Sequence, residues 1–168
     1  EPEYLELSFG FDGSKPVEIA DGVSVRGKID RVDVWNGHAL VRDYKSGKNA
    51  TDYKVSSWDK ANRFQVALYM IAAQEKLGLE PAGGVYMFLG GDERRGRGMV
   101  ASDVDGLGDN FFDGDRRGPE EFSQMLDWAR GRITDAAGRM RRGELACKPD
   151  SCGWRGGCSH PSVCRIET

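Results

Sequence analysis

The sequence predicts an α/β fold with a mixed central sheet flanked by helices. Two observations carry that prediction: apolar and β-branched runs joined by short turns fill the first 47 residues, and a helical run is then followed by a further apolar strand. A strand, a crossover helix and another strand are the pattern of an α/β core. With 168 residues the chain is the size of one ordinary domain, long enough to bury a core without staples. We expect that core to occupy 1–146, with 147–168 as a loop-rich tail of the same domain.

From the N-terminus, Tyr4 to Phe11 alternate apolar and polar residues as a strand does, and Asp12 to Pro16 supply turn chemistry. Val17 to Ile19 and Val23 to Val25 flank Asp21-Gly22, a hairpin signal, and the second run leads into a strand from Gly27. The first part of the chain therefore reads as a small antiparallel meander, with Glu6 at a solvated strand position.

The stretch from Gly27 to Gly47 carries the most information. Two strands meet at Asn36-Gly37, a pair suited to the two positive-φ positions of a type I′ turn. With those residues as the loop, partners have numbers that sum to 73, so Asp30 faces Asp43 and Lys28 faces Lys45. Alternation then places Asp30, Asp43 and Lys45 on one face. Carboxylates directly opposite lie only about 5 Å apart at Cβ and repel. A divalent cation would compensate them; the alternative is a solvated edge whose acids pair with Lys28, Lys45, Arg31 and Arg42.

Beyond a polar link, Ser56 to Asp59 open a helix, and Phe64, Ala67, Leu68, Ile71 and Ala72 recur at helical spacing up to about Leu77, with Gly78 as the stop. Gln65 and Tyr69, four apart, share one face; from the residues alone Tyr69 reads as core and Gln65 as exposed. Gly83 to Leu89 form a buried strand, Gly90 to Gly98 a charged hairpin tip leading to Met99-Val100, and the acidic, Gly-rich stretch from Asp103 to Asp115 a surface loop. A last helix starts at Pro119-Glu120-Glu121, carries an apolar stripe from Phe122 to Met140, and ends at Arg141-Arg142-Gly143.

The formal charge of -3 is not that of a free-standing DNA binder, although arginines crowd the second half. No apolar run is long enough to span a bilayer and nothing resembles a signal peptide, so a soluble, cytoplasmic protein is expected. A start at Glu1 rather than Met reads as a piece of a longer polypeptide. Cys147, Cys152, Cys158 and Cys164 all fall in the tail, among prolines and glycines. Four thiols there point to metal ligation, with disulfides or free thiols as alternatives, and their spacing does not choose between zinc and an iron–sulfur cluster.

Gly27-Lys28-Ile29-Asp30-Arg31-Val32-Asp33 with Val41-Arg42-Asp43-Tyr44-Lys45-Ser46-Gly47 resembles motifs II and III of PD-(D/E)XK nucleases. The similarity is greatest to the RecB/AddB type, whose Gln-x-x-x-Tyr motif is matched by Gln65 to Tyr69. The resemblance implies a restriction-endonuclease-like core and metal-dependent DNA hydrolysis, more exonucleolytic than endonucleolytic. Asp30, Asp43 and the Tyr44 carbonyl would hold Mg²⁺ or Mn²⁺, with Lys45, Gln65 and Tyr69 beside them. It also implies a single-stranded or end-frayed DNA substrate, a helicase domain or subunit as partner, and no membrane. Cys158-x5-Cys164-Arg165 is similar to the ending of AddB-type proteins that carry a [4Fe–4S] cluster, which favours that cluster over zinc. Two departures stand out: Cys147 and Cys152 replace the family's usual remaining ligands, and no helix with a further acidic or histidine site residue precedes Tyr4. The rival readings are a non-catalytic nucleic-acid-binding or scaffold module on the same fold, and a zinc-ribbon tail on an unrelated α/β domain.

Overall fold

Asn36 and Gly37 take φ of 48° and 80°, the left-handed pair that a type I′ turn requires. They close a hairpin in the computed structural model, which describes residues 2–20, 22–48 and 51–144. In chain order the elements are β1 (Pro2–Phe9), β2 (Val17–Ala20), β3 (Val23–Val25), β4 (Gly27–Trp35), β5 (His38–Lys45), α1 (Trp58–Ala61), α2 (Gln65–Leu77), β6 (Glu80–Phe88), β7 (Arg97–Ala101), β8 (Arg116–Arg117) and α3 (Pro119–Arg141). The central sheet runs β1-β4-β5-β6-β7-β8. Its β5–β6 and β7–β8 pairs are parallel and the others antiparallel, the mixed α/β sheet that the sequence predicts.

The N-terminal meander is only partly realised. β1 returns to pair with β4, whereas β2 and β3 fold away as a two-stranded sheet of their own. That small hairpin buries Val17, Ile19 and Val23, so apolar alternation is satisfied without joining the main sheet.

The two faces of the sheet are covered differently. On one, α2 lies close against β6: a Cβ added to Gly84 would stand 2.9 Å from the Val66 carbonyl oxygen and 3.1 Å from Met70 Cγ. Glycine is therefore what lets the start of α2 seat on the sheet. On the other face, Leu40, Val85, Val100 and Phe111 form a buried cluster, with Trp35, Met87 and Leu107 against it. Trp35 donates from Nε1 to the Asp105 carbonyl at 2.8 Å, which fastens the 102–115 loop over this face.

Two expectations are corrected here. The single helix from Ser56 to Leu77 is broken: a 3₁₀ turn at Val55–Ser57 leads into α1, Asn62 adopts φ of 49°, and Phe64 lies outside the helical region before α2 begins. Asparagine tolerates the left-handed conformation, and the fully buried Trp58 anchors the break by donating to the Tyr53 carbonyl at 3.0 Å. The loop from Asp103 to Asp115 is not all surface, because Asp115 is 1% exposed. Its carboxylate accepts from the backbone N–H of Gly98 at 3.2 Å and of Val55 at 3.4 Å, with Arg97 Nε 3.2 Å away. An acid in a polar run thus becomes the internal tie between β7 and the turn before α1.

The chain divides into a unit at Glu1–Thr134 and another at Asp135–Thr168. In the first, α3 buries Phe122, Ala129 and Ile133. In the second, Glu144 pairs with Arg139 at 3.4 Å and Arg142 at 2.6 Å beyond the helix end. No helix among the described residues is long and apolar enough to cross a membrane.

Arg31 and Arg42 are direct cross-strand partners, a repulsive pairing. Asp33, 6% exposed, relieves it by accepting from Arg31 Nε at 2.5 Å and Arg42 Nε at 2.6 Å. Burial pushes the Asp33 carboxyl upward, but the two guanidinium hydrogen bonds outweigh it and hold the group below its usual range. A lowered folded value means stability that is present above the ordinary carboxylate range and lost as pH falls toward the folded value. Asp33→Ala leaves two facing cations uncompensated and should cost about 3 kcal/mol in urea unfolding at neutral pH. The deficit should shrink as the parent is acidified below about pH 4; a variant as stable as the parent at pH 7 would refute this account.

Candidate active site

The β4–β5 ladder pairs Trp35 with His38, Val34 with Ala39, Asp33 with Leu40, Val32 with Val41 and Arg31 with Arg42. Every pair sums to 73, the register that the turn predicts. One step beyond, the Asp30 carboxylate accepts the Tyr44 backbone N–H at 2.8 Å. That bond ties Asp30 to the short Asp43-Tyr44-Lys45 segment.

Asp43 is 4% exposed. Its Oδ2 lies 2.6 Å from Lys45 Nζ, a close ion pair that lacks hydrogen-bond direction, and it has no other hydrogen-bond partner among the described residues. Burial raises the Asp43 carboxyl above its ordinary value, Lys45 opposes the rise, and the charge of Asp30 adds to it. Asp43 therefore has one ammonium partner and a second carboxylate whose charge acts against it.

Lys45 Nζ also donates to Gln65 Oε1 at 3.0 Å, and Gln65 Nε2 donates to the Tyr69 hydroxyl at 2.9 Å. The expected exposed Gln65 is half-buried, and so is Tyr69, whose ring meets Phe9 edge to face at 6.4 Å. Burial raises the Tyr69 phenol, and Asp43 and Asp30 add to the rise while Gln65 and Lys45 oppose it. The first turns of α2 thus complete a chain Asp43, Lys45, Gln65, Tyr69.

The carboxylate oxygens of Asp30 and Asp43 are hard donors suited to Mg²⁺ or Mn²⁺, ions commonly held by one or two carboxylates with water and phosphate making up the rest. The undirected Oδ2 of buried Asp43 and the surplus of negative charge fit such an ion. No group of three or more His, Cys, Asp or Glu suited to a metal occurs among the described residues. Tyr44, which would add its carbonyl, has an exposed side chain. Glu6 stays apart from the acids, pairing with Lys28 at 3.1 Å. Cys147, Cys152, Cys158 and Cys164 lie outside the described residues.

Tyr86 was not singled out from the sequence. It pairs with Asp43 across the parallel β5–β6 ladder, its ring lies 5.4 Å from Lys45 Nζ, and its hydroxyl accepts the Val66 N–H at 3.4 Å. The signal available was the crossover itself, since a parallel partner for β5 must set some β6 residue beside Asp43.

Known proteins of similar sequence include two phage proteins. The chain is 30% identical over 157 residues to the Gene 69 protein of Mycobacterium phage L5, a match that covers 89% of this chain and 41% of that protein. It is 28% identical over 153 residues to the Gene 69 protein of Mycobacterium phage D29, covering 84% and 45%. The chain therefore spans less than half the length of these relatives. The family profile of the PD-(D/E)XK nuclease superfamily matches residues 1–165, nearly the whole sequence and all of the strands and helices described above, and the chain belongs to that superfamily.

Proposed function

We propose that the chain is a metal-dependent deoxyribonuclease domain of the RecB/AddB type, acting on DNA ends. The observation that carries this reading is the convergence of Asp30, Asp43 and Lys45 on one sheet face with Gln65 and Tyr69 beside them.

Asp30, Asp43 and the Tyr44 carbonyl hold one or two Mg²⁺ or Mn²⁺ ions. When bound, such ions polarise the scissile phosphate, lower the pKa of a water and neutralise the leaving oxygen. Lys45 stabilises the negative charge that grows on the phosphoryl oxygens in the transition state, where a fixed cation in a partly dry site acts most strongly. Gln65 orients Lys45 through its amide oxygen, and Tyr69 fixes the amide of Gln65. Both side chains also steady the backbone of the strand being cut.

The RecB/AddB assignment is supported by the Gln65 to Tyr69 motif and by the cysteine-rich ending. On this reading Cys147, Cys152, Cys158 and Cys164 ligate a [4Fe–4S] cluster, with Zn²⁺ as the alternative. The substrate is single-stranded or frayed DNA delivered by a helicase domain or subunit in the cytoplasm. Degradation proceeds from ends, so linear DNA is consumed and closed circles are spared.

Asp43→Ala and Lys45→Ala should each lower Mg²⁺-dependent cleavage of end-labelled DNA at least about 100-fold while leaving the circular dichroism spectrum intact. Cleavage equal to the parent in either variant would remove these residues from the reaction, and no cleavage by the parent would favour a non-catalytic binding module. Anaerobically purified protein should be brown and contain iron. Zinc in a colourless protein would withdraw the cluster and leave the nuclease reading standing on the hairpin.

A further inference from the structure

Beside Lys45 and Gln65 a cavity of about 350 Å³ opens between the start of α2 and the strand carrying Tyr86. Lys45, Tyr53, Asn62, Arg63, Gln65 and Tyr86 line it with two apolar residues, and no carboxylate does. Arg63 has no carboxylate in ion-pair reach among the described residues, and its Nε is buried without a hydrogen-bond partner. A buried, unpaired guanidinium nitrogen is a costly arrangement that an anion would relieve.

The guanidinium is nonetheless held in place. Its carbon lies 3.8 Å from the centroid of the Tyr53 ring, and Tyr53 is braced edge to face by Tyr86 at 4.8 Å and Phe88 at 4.9 Å. The backbone is fixed as well: Arg63 N–H donates to the Trp58 carbonyl at 2.9 Å, and the Asn62 amide oxygen accepts from Arg132 at 2.6 Å. The break between α1 and α2 thus presents a preorganised cation at the edge of the acidic site.

We propose that Arg63 binds a phosphodiester of the strand being cut, next to the scissile phosphate, with Tyr53 as its positioning residue. The inference rests on the nuclease reading and adds a subsite to it. A planar fork of N–H donors suits a phosphate oxygen pair better than an ammonium does. The cavity also shares Lys45 with the acidic site, so a strand whose scissile phosphate meets Lys45 has a neighbouring phosphate within the same opening.

The test measures binding of a fluorescent single-stranded oligonucleotide by anisotropy, with Ca²⁺ in place of Mg²⁺, across a series of salt concentrations. Arg63→Ala should weaken binding about tenfold, the scale of one charge-assisted hydrogen bond, and reduce the salt slope by about 0.7, one phosphate contact on a single strand. Arg63→Lys should keep the slope and recover part of the affinity, and Tyr53→Ala should weaken binding without changing the slope as much. In Mg²⁺, Arg63→Ala should raise KM more than it lowers kcat. Unchanged affinity and slope in Arg63→Ala would overturn the proposal, and if that variant does not fold, Arg63→Gln is judged by the same measures. Arg63-dependent binding of inorganic phosphate with oligonucleotide binding unaffected would also overturn it. Arg63-dependent oligonucleotide binding by a parent that cuts nothing would support the subsite and refute the nuclease reading.

Discussion

A two-residue turn governs the geometry of the candidate site. With Asn36 and Gly37 both at positive φ, the register of β4 against β5 is set, and a slip by one residue would send every side chain of β4 to the other face. That register brings Asp30 to Asp43 and puts Lys45 on the same side. The hairpin also lies inside the sheet, flanked by β1 on one side and by β6 on the other, so its geometry is held from both sides.

One hairpin carries opposite electrostatic balances on its two faces. Asp33 has two guanidinium partners, which hold its carboxyl below the ordinary range despite burial. Asp43, buried to a similar degree, has one ammonium partner and a second carboxylate nearby, and its carboxyl is raised. Burial is common to both, so partner count decides the sign. The Asp33 face is arranged for stability, whereas the Asp43 face keeps an unrelieved charge of the kind that an ion and a substrate can use.

The same contrast explains what could be read without coordinates. The hairpin was legible because Asn-Gly is a local signal with a steric cause, and the shared face of Gln65 and Tyr69 because four-residue spacing fixes it in any helix. The helix break at Asn62 was not legible: the apolar period runs through it, and the stop depends on the burial of Trp58 and its bond to Tyr53. Asp115 escaped notice for a related reason. Its partners are backbone N–H groups of Val55 and Gly98, distant in sequence, and composition alone reads an acid among glycines as solvated. Both misses are tertiary effects overriding local pattern.

The break also determines how the two halves of the site meet. Because α2 begins only at Gln65, that side chain projects from the first residue of the helix, where it reaches back to Lys45, and Tyr69 stands one turn further along the same face. The close seat of α2 on Gly84 then fixes the height of that first turn above β5. Glycine in the strand and a left-handed asparagine before the helix together set where the amide meets the ammonium, and neither residue need touch a substrate to do so.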